Sequence, residues 1–581
     1  MADVLIILTM GLPWLGALAV WLTGDRRPHA QHRLAVGFAL AAALAALLLL
    51  GSVSSTVELR IALGGAFGDF TFVPDGLGVF LTAVATVVGS LAVIFSVDYM
   101  HGEAQLGRYY ALVLLFIGAM AGLALSGSLL LLFIFWEITA LCSYALISFY
   151  NDDPKAVAGG IKALIITQIG GVGMLAGALV AYSYLGDYQI STLLSRYHEL
   201  PSGVLAVLAF GFLAAAAAKS AQVPFHTWLP GAMEAPTPVS ALIHAATMVN
   251  AGVYLLARFY PAFEGVSGWT TAVVVVGLVS ALLAALMALC ATDLKAALAY
   301  STISQLGYMV YAVGVGAVFA SQFHLLSHAV FKALLFLSAG AVIHAVGTRD
   351  MRQMGGLGRQ MPFNRAVFIT GALALAGLPL LNGFWSKELI LEHGLHDGPV
   401  WAYAGMLVGA GLTALYTFRM VWLVFYGERR GSGHAHDAGP MMRVATGALA
   451  VGTLTTWLLV GAFGDLLEDS LPFHGLHVEP ASALLEEIIT APATLVALGV
   501  VALGLLAWWF RDRLAWIGRA FPQVGQAAAA DFGFNWLNRQ IVHGTGQIAE
   551  ALRTTQTGYL NWNVLGIVAG FVVVLGILAL G

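Results

Sequence analysis

The chain runs to 581 residues, 60% of them hydrophobic and only 10% charged, with a net charge of −4. A soluble domain carries roughly 25% charged residues, so lipid is the natural solvent for this chain, and its slightly acidic balance argues against nucleic acid as a partner. Cys142 and Cys290 lie far apart in apolar stretches, and no Gly-rich dinucleotide fingerprint or P-loop occurs. That leaves no framework for a disulfide scaffold, a zinc site or an iron–sulfur cluster, and the expectation is a chain without a cofactor of its own.

A membrane span needs about 20 mostly apolar residues. In chain order such stretches fall near 3–23, 34–52, 76–97, 109–127, 129–149, 159–184, 203–220, 237–258, 269–291, 296–316, 320–345, 366–390, 400–425, 442–463, 489–510 and 562–580. The expected architecture is therefore an all-α, polytopic bundle of about sixteen spans. Met1 to Leu22 lacks a basic leader and a cleavage site, so it reads as the first span rather than a signal peptide.

The basic residues orient this bundle. With the N-terminus outside, Arg26, Arg27, Arg108, Lys155, Lys295, Arg349 and most other loop cations fall inside, against only Arg60, Arg196 and Arg258 outside. The positive-inside rule then selects a multi-pass protein of the cytoplasmic (inner) membrane with both termini outside. Between 511 and 559 the chain is too polar to span. Trp516, Ile517, Phe521, Phe534, Trp536, Leu537, Ile541, Ile548 and Leu552 recur there at helical spacing, the pattern of an amphipathic surface segment.

Two spans are interrupted. Lys219 is followed by Pro224-Phe-His-Thr-Trp-Leu-Pro230, and Ala372 to Gly377 runs into Pro379, Asn382, Gly383 and Lys387-Glu388. The breaks are the seventh and twelfth spans, an odd interval, so the two units have opposite orientation. Prolines alone could merely kink two packing helices. A lysine beside each break, in paired inverted units, points instead to an ion path. The chain divides accordingly: spans at 1–108, a first inverted five-helix repeat at 109–258, a second at 259–426, two spans at 427–510, the surface segment at 511–559, and a last span at 560–581.

A charge at mid-membrane costs about 2.5–3.5 kcal/mol or more, so ionisable residues in spans read as functional. Glu137, Lys219, His244, His324, His328, Lys332, Lys387 and Glu388 are such residues. The i, i+4, i+8 spacing of His324, His328 and Lys332 places them on one helical face. Histidine titrates near neutral pH, and a lysine whose carboxylate partner comes and goes is a switchable proton carrier. The plainer alternatives are a satisfied core residue for His244 and a static ion-pair partner for Glu137. Asp293 and Arg419 could equally pair to lock helices or take part in conduction. His434 and His436, in a Gly- and Ser-rich loop, read as solvated.

The segment from Pro224-Phe-His-Thr-Trp-Leu-Pro to His-Ala-Ala-Thr-Met-Val249, with Asp293-Leu-Lys-Ala-Ala-Leu-Ala-Tyr-Ser-Thr-Ile-Ser-Gln-Leu-Gly-Tyr308 and His324-Leu-Leu-Ser-His-Ala-Val-Phe-Lys332, closely resembles the antiporter-like membrane subunits of respiratory complex I. The resemblance covers roughly residues 70–430 and is strongest to the distal subunit (chain L, or subunit 5), with similarity also to the A-type subunits of multisubunit sodium/proton antiporters. It implies that Glu137 and Lys219 form the switching pair of one half-channel, that His244, His324, His328 and Lys332 carry protons across the middle, and that Lys387 is the lysine of the second half. It also implies other membrane subunits as partners and protons as cargo, with sodium as a second candidate ion. Two features depart from the complex I pattern. Gln168-Ile-Gly-Gly171 replaces the usual Arg and Asp and resembles the antiporter counterpart instead. Only about 50 residues separate the last two spans, so a straight helix there would reach at most roughly 75 Å. A membrane subunit of an inorganic-carbon (CO2/bicarbonate) uptake system and a structural anchor with inactive channels are the alternative readings.

Overall fold

The computed structural model describes the backbone of residues 2–53, 59–428, 430, 435–476 and 480–553. The expected last span at 562–580 and His434 lie outside the described residues. The chain divides into two compact units, with the division falling between Pro522 and Gln523 in sequence, inside the predicted surface segment.

The first unit is almost entirely helical, as lipid requires, because a helix satisfies its backbone groups within one segment. Among the described residues thirteen helices are long and apolar enough to cross a membrane, from Ala2–Thr23 to Pro492–Trp509. Leu294–Gly314 is also long enough, but it turns Ser301, Thr302, Ser304 and Gln305 into the core. The predicted span at 366–390 is two helices, Pro362–Ala376 and Asn382–His396.

Both predicted interruptions are real breaks. Ser202–Lys219 ends at Lys219, and the chain passes through short turns until a helix resumes at Thr237. The freed backbone finds partners: Ser220 Oγ donates to Val249 O at 2.6 Å, and Trp228 Nε1 donates to Ala218 O at 2.9 Å. At the second break Gly377 takes a φ of +81°, a conformation that disfavours side chains. Gly383 lies so close to Ala374 that a Cβ would stand 2.0 Å from its carbonyl oxygen. A third irregularity has no proline to announce it. Leu242–Ala246 widens into a π-helical turn, and His244 sits in its middle.

The long helix Val318–Val346 is the axis of the first unit. It packs against Thr237–Ala241 and the π turn on one side, and against Leu294–Gly314, Pro362–Ala376 and Asn382–His396 on the other. Its residues are buried from Val318 to Leu325 and from Ser327 to Val342, polar ones included. Pro154–Leu185 is peripheral, with Ile161, Ile165, Ile169, Val172 and Leu179 exposed along one stripe. Its opposite face meets Ser202–Lys219 through glycines: a Cβ on Gly173 would stand 2.8 Å from Gly211 O.

Two opposite faces of the bundle follow from the backbone. A hairpin, Leu59–Ala62 with Asp69–Phe72, bridges through Phe72 to Ser126, and Ser128 bridges to Gln189. On the other face Asp293 bridges to Asp350, and Gly356 N donates to Tyr426 O.

The predicted surface segment is not one helix. It comprises Arg511–Ala520, Pro522–Ala529 and Phe534–Arg553. Pro522 separates the first two, and Phe532, with a φ of +48°, precedes the third. Within Phe534–Arg553, Leu537, Ile541, Ile548 and Leu552 are exposed along one face.

Candidate proton path

Glu137, on the helix Leu129–Ile147, neighbours Lys219, the last residue of Ser202–Lys219 before the first break. Lys219 is fully buried, yet no carboxylate among the described residues lies within 4.0 Å of its ammonium. Nζ donates to Trp136 O at 2.7 Å and stands 4.9 Å above the Trp136 ring. Among the described residues the Glu137 carboxylate receives no hydrogen bond of normal geometry; its polar neighbours are the Gln168 carboxamide and Lys219. The pair is therefore parted, with the ammonium resting on the carbonyl and ring of the residue that precedes the acid. A carbonyl and a ring face stabilise a cation more weakly than a carboxylate does, so either protonation state of Lys219 can be accommodated.

His244 is fully buried in the π turn and stacks on Phe336, with ring centroids 4.9 Å apart. Neither ring nitrogen has a protein hydrogen-bond partner among the described residues. Lys295 and Lys332 are the cations that act on it. The sequence reading placed Lys295 among the cations of the inner loops and helix ends, and it stands second in the helix Leu294–Gly314. It is buried and donates to Ala235 O at 2.6 Å.

On the central helix His324 bonds on both sides, to Ser386 Oγ at 2.9 Å and Gln305 Oε1 at 3.2 Å. His328 follows 6.4 Å away by ring centroid, and its ring nitrogens have no protein partner among the described residues. Lys332 Nζ donates to Ser301 Oγ and, at 3.3 Å, to Leu298 O. The three expected residues thus share a face, and that face looks onto the polar side of Leu294–Gly314.

Lys387 lies just beyond the second break. Its Nζ reaches back across the gap to Leu375 O at 2.8 Å and stands 5.7 Å above the Tyr308 ring. Adjacent on the helix, Glu388 points elsewhere, with Thr494 as its hydrogen-bonding neighbour. Lys219, Lys295 and Lys387 therefore share one device: a buried ammonium held by a backbone carbonyl.

Asp293 and Arg419 do not pair. Asp293 caps its helix by accepting from Ala296 N and binds Arg349 at 3.0 Å; Arg349 also binds Glu234 at 3.0 Å. Arg419 donates instead to Ala291 O at 2.7 Å. The two share a helix junction but have separate partners, because Arg349 arrives beside Asp293 on the antiparallel bridge to Asp350.

Sequence reasoning also missed the buried pair Asp75–Arg258. The guanidinium binds both carboxylate oxygens and the Tyr254 hydroxyl. Arg258 read as an outer loop cation because Asp75 is distant in sequence. For Lys295 a signal existed: Thr302 and Gln305 follow it at i+7 and i+10, a polar face on an otherwise apolar helix.

A fully buried file of lysines and histidines through two broken helices defines a class: antiporter-like, ion-translocating membrane subunits. Known proteins agree. A family model described as "NADH:quinone oxidoreductase/Mrp antiporter, TM" matches residues 126–413, and one described as "NADH-Ubiquinone oxidoreductase (complex I), chain 5 N-terminus" matches residues 61–110. NAD(P)H-quinone oxidoreductase chain 5 of Synechocystis is 39% identical, over 83% of this chain and 72% of that one. NADH-quinone oxidoreductase subunit L of Escherichia coli is 37% identical, over 88% and 87%. The structure of the Mrp complex from Dietzia superposes with a TM-score of 0.85 at 29% identity, covering 99% of this chain and 63% of the matched chain. The chain belongs to the family of antiporter-like membrane subunits shared by NADH:quinone oxidoreductase and Mrp antiporters.

Proposed function

We propose that this protein is a proton-translocating subunit of a multisubunit, complex I-like membrane complex. The observation that carries the reading is the file Lys219, His244, Lys332, His328, His324 and Lys387. All of it is buried, and among the described residues no carboxylate within 4.0 Å fixes the charge of any member. A static ion-pair network would match each cation with an acid. Here each lysine rests on a carbonyl or hydroxyl, and the His244 and His328 ring nitrogens have no protein partner among the described residues, which suits groups that gain and lose protons. The energy source resides in partner subunits, and the N-terminus faces outside by the positive-inside rule. The inactive-anchor reading is not favoured, since the file is complete from the first break to the second.

The test is proton flux in vesicles carrying the assembled complex. Glu137→Gln and Lys219→Ala should each remove most of the flux while the protein still inserts and assembles. Normal flux in either variant would refute the reading. A gradient of sodium imposed on the same vesicles, with and without Gln168 replaced by Ala, tests whether sodium moves as well. The Gln168–Gly171 segment beside Glu137 is what favours that second ion.

A further inference from the structure

Glu388 begins a polar stripe that the path described so far does not use. On the helix Asn382–His396, Glu388, Glu392 and His396 follow one another at i, i+4 and i+8, so they lie on one face. Exposure rises along the stripe, from 4% at Glu388 to 9% at Glu392, and His396 is exposed. The stripe ends in a cavity of about 470 Å³ whose lining includes Glu392, His393, His396 and Asp397. Its other wall is the turn at Gly316–Phe319 and the loop residues His474 and Leu476. His474 presents a buried Nδ1 with no protein partner among the described residues, while its Nε2 is bonded to Ala257 O at 2.8 Å. That bond puts the cavity on the face of the bundle that carries Arg258 and Asp75.

We propose that Glu392 is a proton-relay residue between Glu388 and this cavity, which is the mouth of the second half-channel. The inference rests on the proton-conduction reading above. The step balances without a co-reactant. The O–H bond of the Glu388 carboxylic acid breaks as one forms on the Glu392 carboxylate, directly or through one water. Glu392 then gives its proton to water in the cavity or to His396 and is a carboxylate again, while Glu388 regains a proton from the ammonium of the adjacent Lys387, so that one proton has moved down the stripe. A carboxylate suits this place because it is buried enough to hold a proton briefly and lies at the edge of a space large enough for many waters.

The experiment compares Glu392→Gln, Glu392→Asp and Lys387→Ala in the whole complex, purified from its own membranes and reconstituted into liposomes. Proton flux is followed with a pH-sensitive dye under an imposed pH gradient. Glu392→Gln should lower flux at least fivefold with the composition of the complex unchanged, and Glu392→Asp should restore most of it. Added formate, a small diffusible acid, should partly rescue the glutamine variant, which a structural defect would not permit. Full flux in Glu392→Gln with Lys387→Ala blocked overturns the relay alone. Full flux in both overturns the conduction reading itself. A loss in Glu392→Gln that neither aspartate nor formate relieves also overturns the relay, since the residue would then be structural.

Discussion

Gly171 holds open the space that the Glu137 carboxylate occupies: a Cβ at position 171 would stand 2.6 Å from Glu137 Oε1. The obstacle would be the end of a side chain, so Gly171→Ala should fold but push the carboxylate away from its place beside Lys219. Overpacking of this kind costs about 1–3 kcal/mol. Proton flux should fall severalfold while assembly of the complex is unchanged, and flux equal to that of the native protein would show that Glu137 does not need this position.

Lys387→Arg discriminates between a proton carrier and a fixed charge. Guanidinium does not lose its proton in proteins. If Lys387 releases protons, arginine should block net flux as fully as alanine does. Flux near the native level in the arginine variant would make Lys387 a structural cation held against Leu375 O.

The loop at 471–476 should respond to pH through His474. Burial, foremost, and Arg258 push this imidazole down to about 4, against the pull of its bond to Ala257 O. An undocked histidine titrates near 6.5. Docking therefore favours the neutral form: its contribution is whole above pH 6.5 and shrinks as the pH falls toward 4, by at most about 1.4 kcal/mol per unit. Amide exchange in 471–476, corrected for intrinsic rates, should quicken between pH 7.5 and 5.5. His474→Gln should abolish that pH response, and equal protection at both pH values in the native protein would refute it.

The exposed apolar face of Phe534–Arg553 is expected to hold partner subunits. Changing Leu537, Ile541, Ile548 and Leu552 to serine removes apolar contact area without touching any buried lysine. Native gels should then show the complex dissociating while the protein remains in the membrane. An intact complex that no longer conducts would mean that the segment serves conduction instead.

Much of this protein was legible without coordinates, because the physics that writes it is one-dimensional. Lipid demands about 20 apolar residues per crossing, so the helices announce themselves, and a lysine or glutamate inside them stands out against its cost. Prolines and glycines beside Lys219 and Lys387 marked the two breaks for the same reason. The amphipathic spacing of 534–553 was equally plain, although Pro522 and the turn at Phe532 divide what the pattern alone would run together.

Pairings were decided only by the tertiary structure. Whether Lys219 meets Glu137 or the Trp136 carbonyl depends on a few ångströms of helix placement, set by glycine contacts such as Gly173 on Gly211. Asp293 takes Arg349 rather than Arg419 because a backbone bridge to Asp350 delivers it. The π turn at His244 has no composition to betray it, and the burial of Lys295 stayed hidden because helix ends look alike in sequence whether they face water or protein. Sequence determined which residues lie in the membrane; three-dimensional packing determined which of them meet, because hydrogen bonds act over about 3 Å and chain order carries no such distance.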